Sequence, residues 1–174
     1  MKTEKNGLEI ERKYIIEMPD ESSMREMDSF DESAIEQIYL PSELGVTRRI
    51  RRRSWAENTK YYITEKRRVD NMSSEEREWE IEADEYAMLS KNRRNGTNPV
   101  VKRRCTFIYE GQLFEVDIYP GWHRTAIMET ELSDRSVTVK MPKFLRIVRE
   151  VTGLFEYSNA AMSVIFPAED NLEE

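Results

Sequence analysis

Stretch after stretch of this chain alternates one charged and one apolar residue, and the charges are sorted by sign. In an extended strand, residues two apart share a face. Glu9, Glu11 and Lys13 alternate with Leu8, Ile10 and Tyr14. Arg49, Arg51 and Arg53 share a face within a run that holds five arginines between Arg48 and Arg53. Lys66 follows Tyr62 and Thr64, and Glu76, Glu78 and Glu80 oppose Arg77, Trp79 and Ile81. Lys102 and Arg104 share a face. Glu115 and Asp117 oppose Phe114, Val116 and Ile118, and Glu129 and Glu131 oppose Met128 and Leu132.

An ordinary sheet, with one core face and one solvated face, accounts for any single strand of this kind. It accounts less well for the set. A solvated face usually mixes signs, because like charges side by side repel. Here acidic rows and basic rows occupy different strands, and tight pairs of the form Glu-x-Glu or Glu-x-Asp recur. Each pair sets two carboxylates about 7 Å apart on one face. Facing pairs from neighbouring strands could share a hard cation such as Mg²⁺ or Mn²⁺, one ion or two, since such ions prefer oxygen ligands. Rows of arginine and lysine suit phosphate oxygens. If the sheet closes with its charged faces inward, the result is a polar tunnel with an acidic wall and a basic wall. A barrel of about eight strands is wide enough for a ligand.

The remaining elements follow from turn and cap signals. Strands are expected over Leu8–Glu17, Glu36–Leu40, Thr47–Trp55, Lys60–Arg68, Glu75–Glu82, Val100–Tyr109, Gln112–Tyr119 and Ala126–Leu132. Glu110-Gly111 turns one hairpin, and Asn95-Gly96-Thr97-Asn98-Pro99 is a loop. Short helices are expected over Ser22–Ser29, capped by Ser22 or Ser23, and from Asp84 to about Arg93. An amphipathic helix is expected over Pro142–Val151, ended by Gly153, with a second helical piece over Tyr157–Ile165. The fold class is therefore α+β, mainly β: an eight-stranded antiparallel closed barrel with peripheral helices. At 174 residues a single domain is expected, spanning 1–174, with a core from about 8 to 162 and a frayed acidic tail over 167–174.

Composition narrows the function. Charged residues make up 35% and the net charge is −7, which disfavours nucleic acid and anionic membranes as partners. Cys105 is the only cysteine and His123 the only histidine, so an internal disulfide, a cysteine-rich zinc site and a two-histidine metal motif are all excluded. Cys105 reads as a packing residue and His123 as a loop residue. The first twenty residues carry both signs of charge and no long apolar run, so a cytoplasmic location is expected. Apolar outer faces would need helices or a second copy of the chain to cover them, which makes a homodimer an expectation.

The ordered set of rows resembles the CYTH superfamily, also called the triphosphate tunnel metalloenzymes. The hallmark Glu-x-Glu-x-Lys matches Glu9, Glu11 and Lys13, and Arg-x-Arg matches Arg49 and Arg51. Lys66, the acidic strand Glu76, Glu78 and Glu80, then Lys102 and Arg104, Glu115 and Asp117, and Glu129 and Glu131 follow in family order. The resemblance implies the same tunnel barrel and metal-dependent attack on a triphosphate. It implies phosphate-binding roles for Arg49, Arg51, Lys66, Lys102 and Arg104, with Arg53 able to join them and Arg48 and Arg52 facing away. It implies metal-binding roles for Glu9, Glu11, Glu115, Asp117, Glu129 and Glu131. Lys13, Glu78 and Asp117 are the candidates for positioning or activating water. Hydrolysis of inorganic triphosphate is the favoured activity, or of a nucleoside triphosphate. Cyclisation of ATP to cyclic AMP and cleavage of thiamine triphosphate remain alternatives, as does a module that binds polyphosphate or nucleotide without turnover.

Overall fold

The computed structural model describes residues 4–172. Eight antiparallel strands close into a barrel: β1 (Glu4–Glu17), β2 (Asp28–Leu40), β3 (Val46–Ser54), β4 (Thr59–Arg68), β5 (Ser73–Ile81), β6 (Val100–Tyr109), β7 (Gln112–Ile118) and β8 (Thr125–Glu131). Around the barrel the order is β1-β5-β4-β3-β2-β6-β7-β8 and back to β1. Closure depends on the length of β1, which changes partner partway. Its Glu4–Ile10 half pairs with β5, and its Glu11–Glu17 half pairs with β8.

That change of partner exposes one edge of the second half of β1. A four-residue strand, β9 (Ile147–Glu150), covers it by pairing with Tyr14, Ile15 and Ile16. The helix expected over Pro142–Val151 is therefore not formed. Apolar spacing there suits a helix, but the open edge supplies backbone partners, and β-branched Ile147 and Val148 favour extension. Leu145 is buried in one cluster and Val151 in another, so the same apolar residues are used by a different backbone.

Three smaller expectations also change. The first helix, α1, is only Glu21–Arg25, and Asp20 caps it, its carboxylate accepting from the Ser23 amide at 2.9 Å. β2 starts at Asp28 rather than Glu36, through a register irregularity and a positive φ of 53° at Ser29. The tail does not fray up to Leu172. Glu169–Asn171 forms a 3₁₀ turn, the Glu169 carboxylate accepts from the amides of His123, Arg124 and Thr125 at 2.5–3.1 Å, and Leu172 is fully buried. The hairpin at Glu110-Gly111 forms as expected, with φ of 47° and 80°, the positive pair a tight turn between twisted strands requires.

Much of the apolar outer face is covered from within the chain, although Leu8 and Val101 remain exposed. Met24 of α1 and the segment carrying Val139, Met141, Phe144 and Leu145 pack over Cys105, Phe107, Phe114, Val116 and Met128. Helix α2 (Ala83–Ser90) lays Tyr86 and Leu89 on Ile50, Ile63 and Ile81. One end of the barrel interior is apolar too. Ile15, Tyr39, Tyr119 and Ile127 meet Trp122, Val151, Tyr157 and Met162, the last from the short helix α3 (Asn159–Met162). Among the described residues no helix is long and apolar enough to cross a membrane.

Candidate functional site

Beyond the apolar end, the barrel encloses a cavity of about 1260 Å³. Its lining follows from strand parity and strand order together. β7, β8, β1 and β5 are contiguous and contribute the carboxylates; β4, β3, β2 and β6 are contiguous and contribute most of the cations. The sorting of sign seen along the chain is thus a sorting of the tunnel wall into an acidic arc and a basic arc.

Charges pair along the two seams between the arcs. At the first seam Arg51 Nη2 donates to Glu78 at 2.7 Å, and Thr64 Oγ1 donates to the same carboxylate at 2.8 Å. Lys66 Nζ lies 2.7 Å from Glu9 and 3.7 Å from Glu76, and Arg49 lies 4.0 Å from Glu76. At the second seam Arg104 grips Asp117 through Nε and Nη2 at 2.6 and 2.7 Å, reaches Glu129 at 3.0 Å, and pairs with Glu115. Lys102 Nζ donates to Asp117 at 2.5 Å, with both side chains fully buried.

Within the acidic arc Lys13 Nζ sits 2.8 Å from Glu129. Burial works against its charge, but Glu129 and Glu11 outweigh burial and hold the ammonium well above the usual lysine range. Burial likewise opposes the charge on Glu129, and Lys13 and Arg104 overcome it, keeping that carboxylate well below its ordinary value. Asp117 is also held down against burial, by Arg104 and Lys102. Lys102 is the opposite case: burial outweighs Asp117 and lowers it to about 8. Glu76 is raised, because burial outweighs Arg49.

Fourteen of the charged residues singled out from sequence (Glu9, Glu11, Lys13, Arg49, Arg51, Arg53, Lys66, Glu76, Glu78, Lys102, Arg104, Glu115, Glu129 and Glu131) line this one cavity. Asp117 stands behind the lining, occupied with Lys102 and Arg104 rather than facing the lumen. Arg53 joins Arg49 and Arg51, its Nε donating to Ser33 at 2.8 Å and its guanidinium over the Trp55 ring. Arg48 and Arg52 turn outward to Glu65 and Glu36. Glu80 is paired with Lys60 at 3.2 Å. Sequence reasoning passed over the neutral members of the lining, Gln37, Tyr39, Thr64 and Asn159, and also Lys5. Gln37 and Tyr39 are two apart on β2, so the same parity rule that found the charged rows would have found them.

A divalent cation would belong to the middle of the acidic arc. There Glu11 is directly opposite Glu131 in register, and Glu115 is opposite Glu129. Like charges so placed repel unless a cation lies between them. Among the described residues no ion pair closes on Glu11, and no three carboxylates converge as a finished cage. The half-exposed Lys5 ammonium reaches in between Glu9 at 3.4 Å and Glu131 at 3.2 Å, the place a small cation would take. The donors gathered there are all carboxylate oxygens, the type a hard divalent ion prefers.

Fold and wall together define a charged-tunnel barrel, and solved structures share the fold. The inorganic triphosphatase NE1496 is 25% identical with a TM-score of 0.58, over 92% of this chain and 97% of that one. The protein PH1819 from Pyrococcus horikoshii OT3 is 22% identical with a TM-score of 0.54, over 73% and 80% of the two chains. No family model matches the chain, and no curated protein matches it. The likeness to solved structures bears out the resemblance carried by the charged rows: the chain has the triphosphate tunnel fold.

Proposed function

We propose that this chain hydrolyses a triphosphate inside its tunnel with the help of a divalent cation, inorganic triphosphate being the first substrate to test. One observation carries the reading: cations of β4, β3 and β6, with Arg49, Arg51 and Arg53 among them, face the carboxylates of β7, β8, β1 and β5 across one cavity. The fold-level likeness to an inorganic triphosphatase at 25% identity supports it.

The basic arc would hold the phosphates. Arg49 and Arg51 line the cavity from β3, and their guanidinium charge suits phosphate oxygens. Asp117 fixes Lys102 and Arg104 from behind, and Glu78 with Thr64 fixes Arg51. Lys13, held charged by its neighbours, would act as a fixed cation beside the carboxylates rather than as a base.

The cavity lining holds about as many carboxylates as cations. A bound polyanion would leave it strongly negative, which is the electrostatic reason for a divalent ion. Glu9, Glu11, Glu129 and Glu131 would hold that ion, with Glu115 beside them. When bound, it would neutralise charge that builds on the phosphoryl oxygens.

Product analysis tests the reading. Inorganic triphosphate, ATP and thiamine triphosphate are offered separately, and orthophosphate and cyclic AMP are both measured. Orthophosphate from inorganic triphosphate is the expected product. Cyclic AMP from ATP, with no orthophosphate from any substrate, would replace hydrolysis with cyclisation.

A further inference from the structure

A triphosphate approaching this chain meets a net charge of −7, and is repelled unless it comes in over a basic stretch of surface. Among the described residues three exposed cations line the cavity: Lys5, Arg68 and Arg94. Two are already engaged. Lys5 lies between Glu9 and Glu131, and Arg68 donates to the Gly153 carbonyl at 2.6 Å and to Asn71 at 3.1 Å. The Arg94 side chain has no partner among the described residues, and neither have Lys91 and Arg93, exposed beside it. Backbone bonds fix this loop to the wall. The Arg94 amide donates to the Tyr39 carbonyl at 2.8 Å, and the amide and hydroxyl of buried Thr97 donate to the Arg94 carbonyl at 3.3 and 2.7 Å. Tyr39 is opposite Arg49 in register, so two backbone spacings, about 10 Å, separate Arg94 from the first arginine of the tunnel row. The cavity opens to solvent at this end, where exposed Glu43 and Leu44 of the β2–β3 turn also line it.

We propose that Arg94, with Lys91 and Arg93 beside it, captures the incoming triphosphate at this mouth and passes it to Arg49, so that the tunnel loads from the end where β2 finishes. The inference rests on the reading above for the identity of the ligand. Glu43 is outnumbered there by the three cations, so the local field attracts an anion although the chain as a whole repels it. A guanidinium on a fixed loop suits the task, because its planar fork meets two phosphate oxygens at once while its long stem follows them inward. The rival use of the same side chain is to hold the phosphates once they are bound.

Binding rates separate the two. An imido-bridged, non-hydrolysable analogue of inorganic triphosphate is mixed with the chain in Mg²⁺ buffer, and kon and koff are read by stopped-flow tryptophan fluorescence at low and at high salt. For Arg94→Ala kon falls about fivefold at low salt, and for Arg94→Glu about 20-fold, while koff stays within about twofold, as for a charge that steers rather than holds. The losses shrink in high salt, which screens charges at this range. Arg52→Ala, an outward arginine paired with Glu36, stays within about twofold and so removes overall net charge as the cause. Unchanged kon in both Arg94 variants overturns the inference, as does a loss of equal size in Arg52→Ala. A raised koff with unchanged kon overturns capture in favour of a contact to bound phosphates. Orthophosphate release is scored separately. A wild type that binds the analogue at these rates but releases no phosphate loses the hydrolase reading and keeps this inference; a wild type that does not bind the analogue overturns it.

Discussion

Asp117 and Lys102 form a fully buried pair whose two members should differ sharply when removed. Asp117 is the shared partner of two cations, with contacts of 2.5, 2.6 and 2.7 Å. Asp117→Asn keeps the shape but removes the charge that holds Lys102 and Arg104. Breaking a buried pair from one side costs about 3–5 kcal/mol; Arg104 retains Glu115 and Glu129, which places the expected loss near about 3 kcal/mol. Lys102→Met is different, because Asp117 keeps the two-pronged grip of Arg104. Burial lowers Lys102 from 10.5 to about 8, so its protonated form costs folding on the order of 3 kcal/mol. The sign follows from a depressed lysine: the penalty is full below pH 8 and fades as pH rises towards 10.5. Lys102→Met should therefore lose less than about 1 kcal/mol at pH 7, or gain stability. Urea unfolding at pH 7, followed by tryptophan fluorescence, measures both. For a chain of this length a loss of about 3 kcal/mol lowers Tm by roughly 6–12 °C. Equal losses, or a larger one for Lys102→Met, would refute the partner inventory on which the second seam is built.

Neighbouring arginines on β3 should separate by parity: Arg51→Ala lowers kcat/KM for a triphosphate by at least about 10²-fold, whereas Arg52→Ala, paired outward with Glu36, stays within about twofold. Steady-state kinetics on the two variants decides it. Glu169→Gln should loosen the barrel's apolar end, seen as faster hydrogen exchange at the amides of His123, Arg124 and Thr125. Burial alone would raise the Glu169 carboxyl, but the amides of His123 and Arg124 and the Thr125 hydroxyl hold it at about 2. Its folded value is depressed, so its stabilisation is present above about pH 4.5 and disappears as pH falls towards 2; acid unfolding of the Gln variant should show a smaller pH dependence in that window. Gly153→Ala should destabilise the chain and lower Tm, because Gly153 has φ +74° and an added Cβ would sit 2.6 Å from the Asn71 carbonyl oxygen.

Much of the barrel was legible because parity is a local property. Alternation in Glu9-Ile10-Glu11 or Phe114-Glu115-Val116 states which face is which without any knowledge of the partner strand. What lay beyond reach depends on distant chain. Ser29-Phe30-Asp31-Glu32-Ser33 has no apolar alternation, and extends β2 only because β6 is there to pair with it. Ile147–Glu150 is a strand because β1 changes partners and leaves an edge open. Glu169 caps a loop more than forty residues earlier in the chain. For the site the division is between charged and neutral residues. Rows of like charge stand out in a sequence, whereas Gln37 and Tyr39, though they share a face of β2, carry no charge to mark that face, and Asn159 comes from outside the barrel strands. Asp117 shows the converse: it belongs to a charged row, yet the depth of its burial turns it into a support for two cations.

The most direct test of the account joins metal to phosphate release. Orthophosphate release from inorganic triphosphate is followed while Mg²⁺ or Mn²⁺ is titrated into chelator-treated protein, for wild type and Glu11→Gln, with Mn²⁺ binding measured in parallel by electron paramagnetic resonance. The account predicts no release without metal, saturable release with it, and weaker Mn²⁺ binding with at least about tenfold slower release in the variant. Release that persists in chelator, or a Glu11→Gln protein that matches wild type in both binding and turnover, would contradict it.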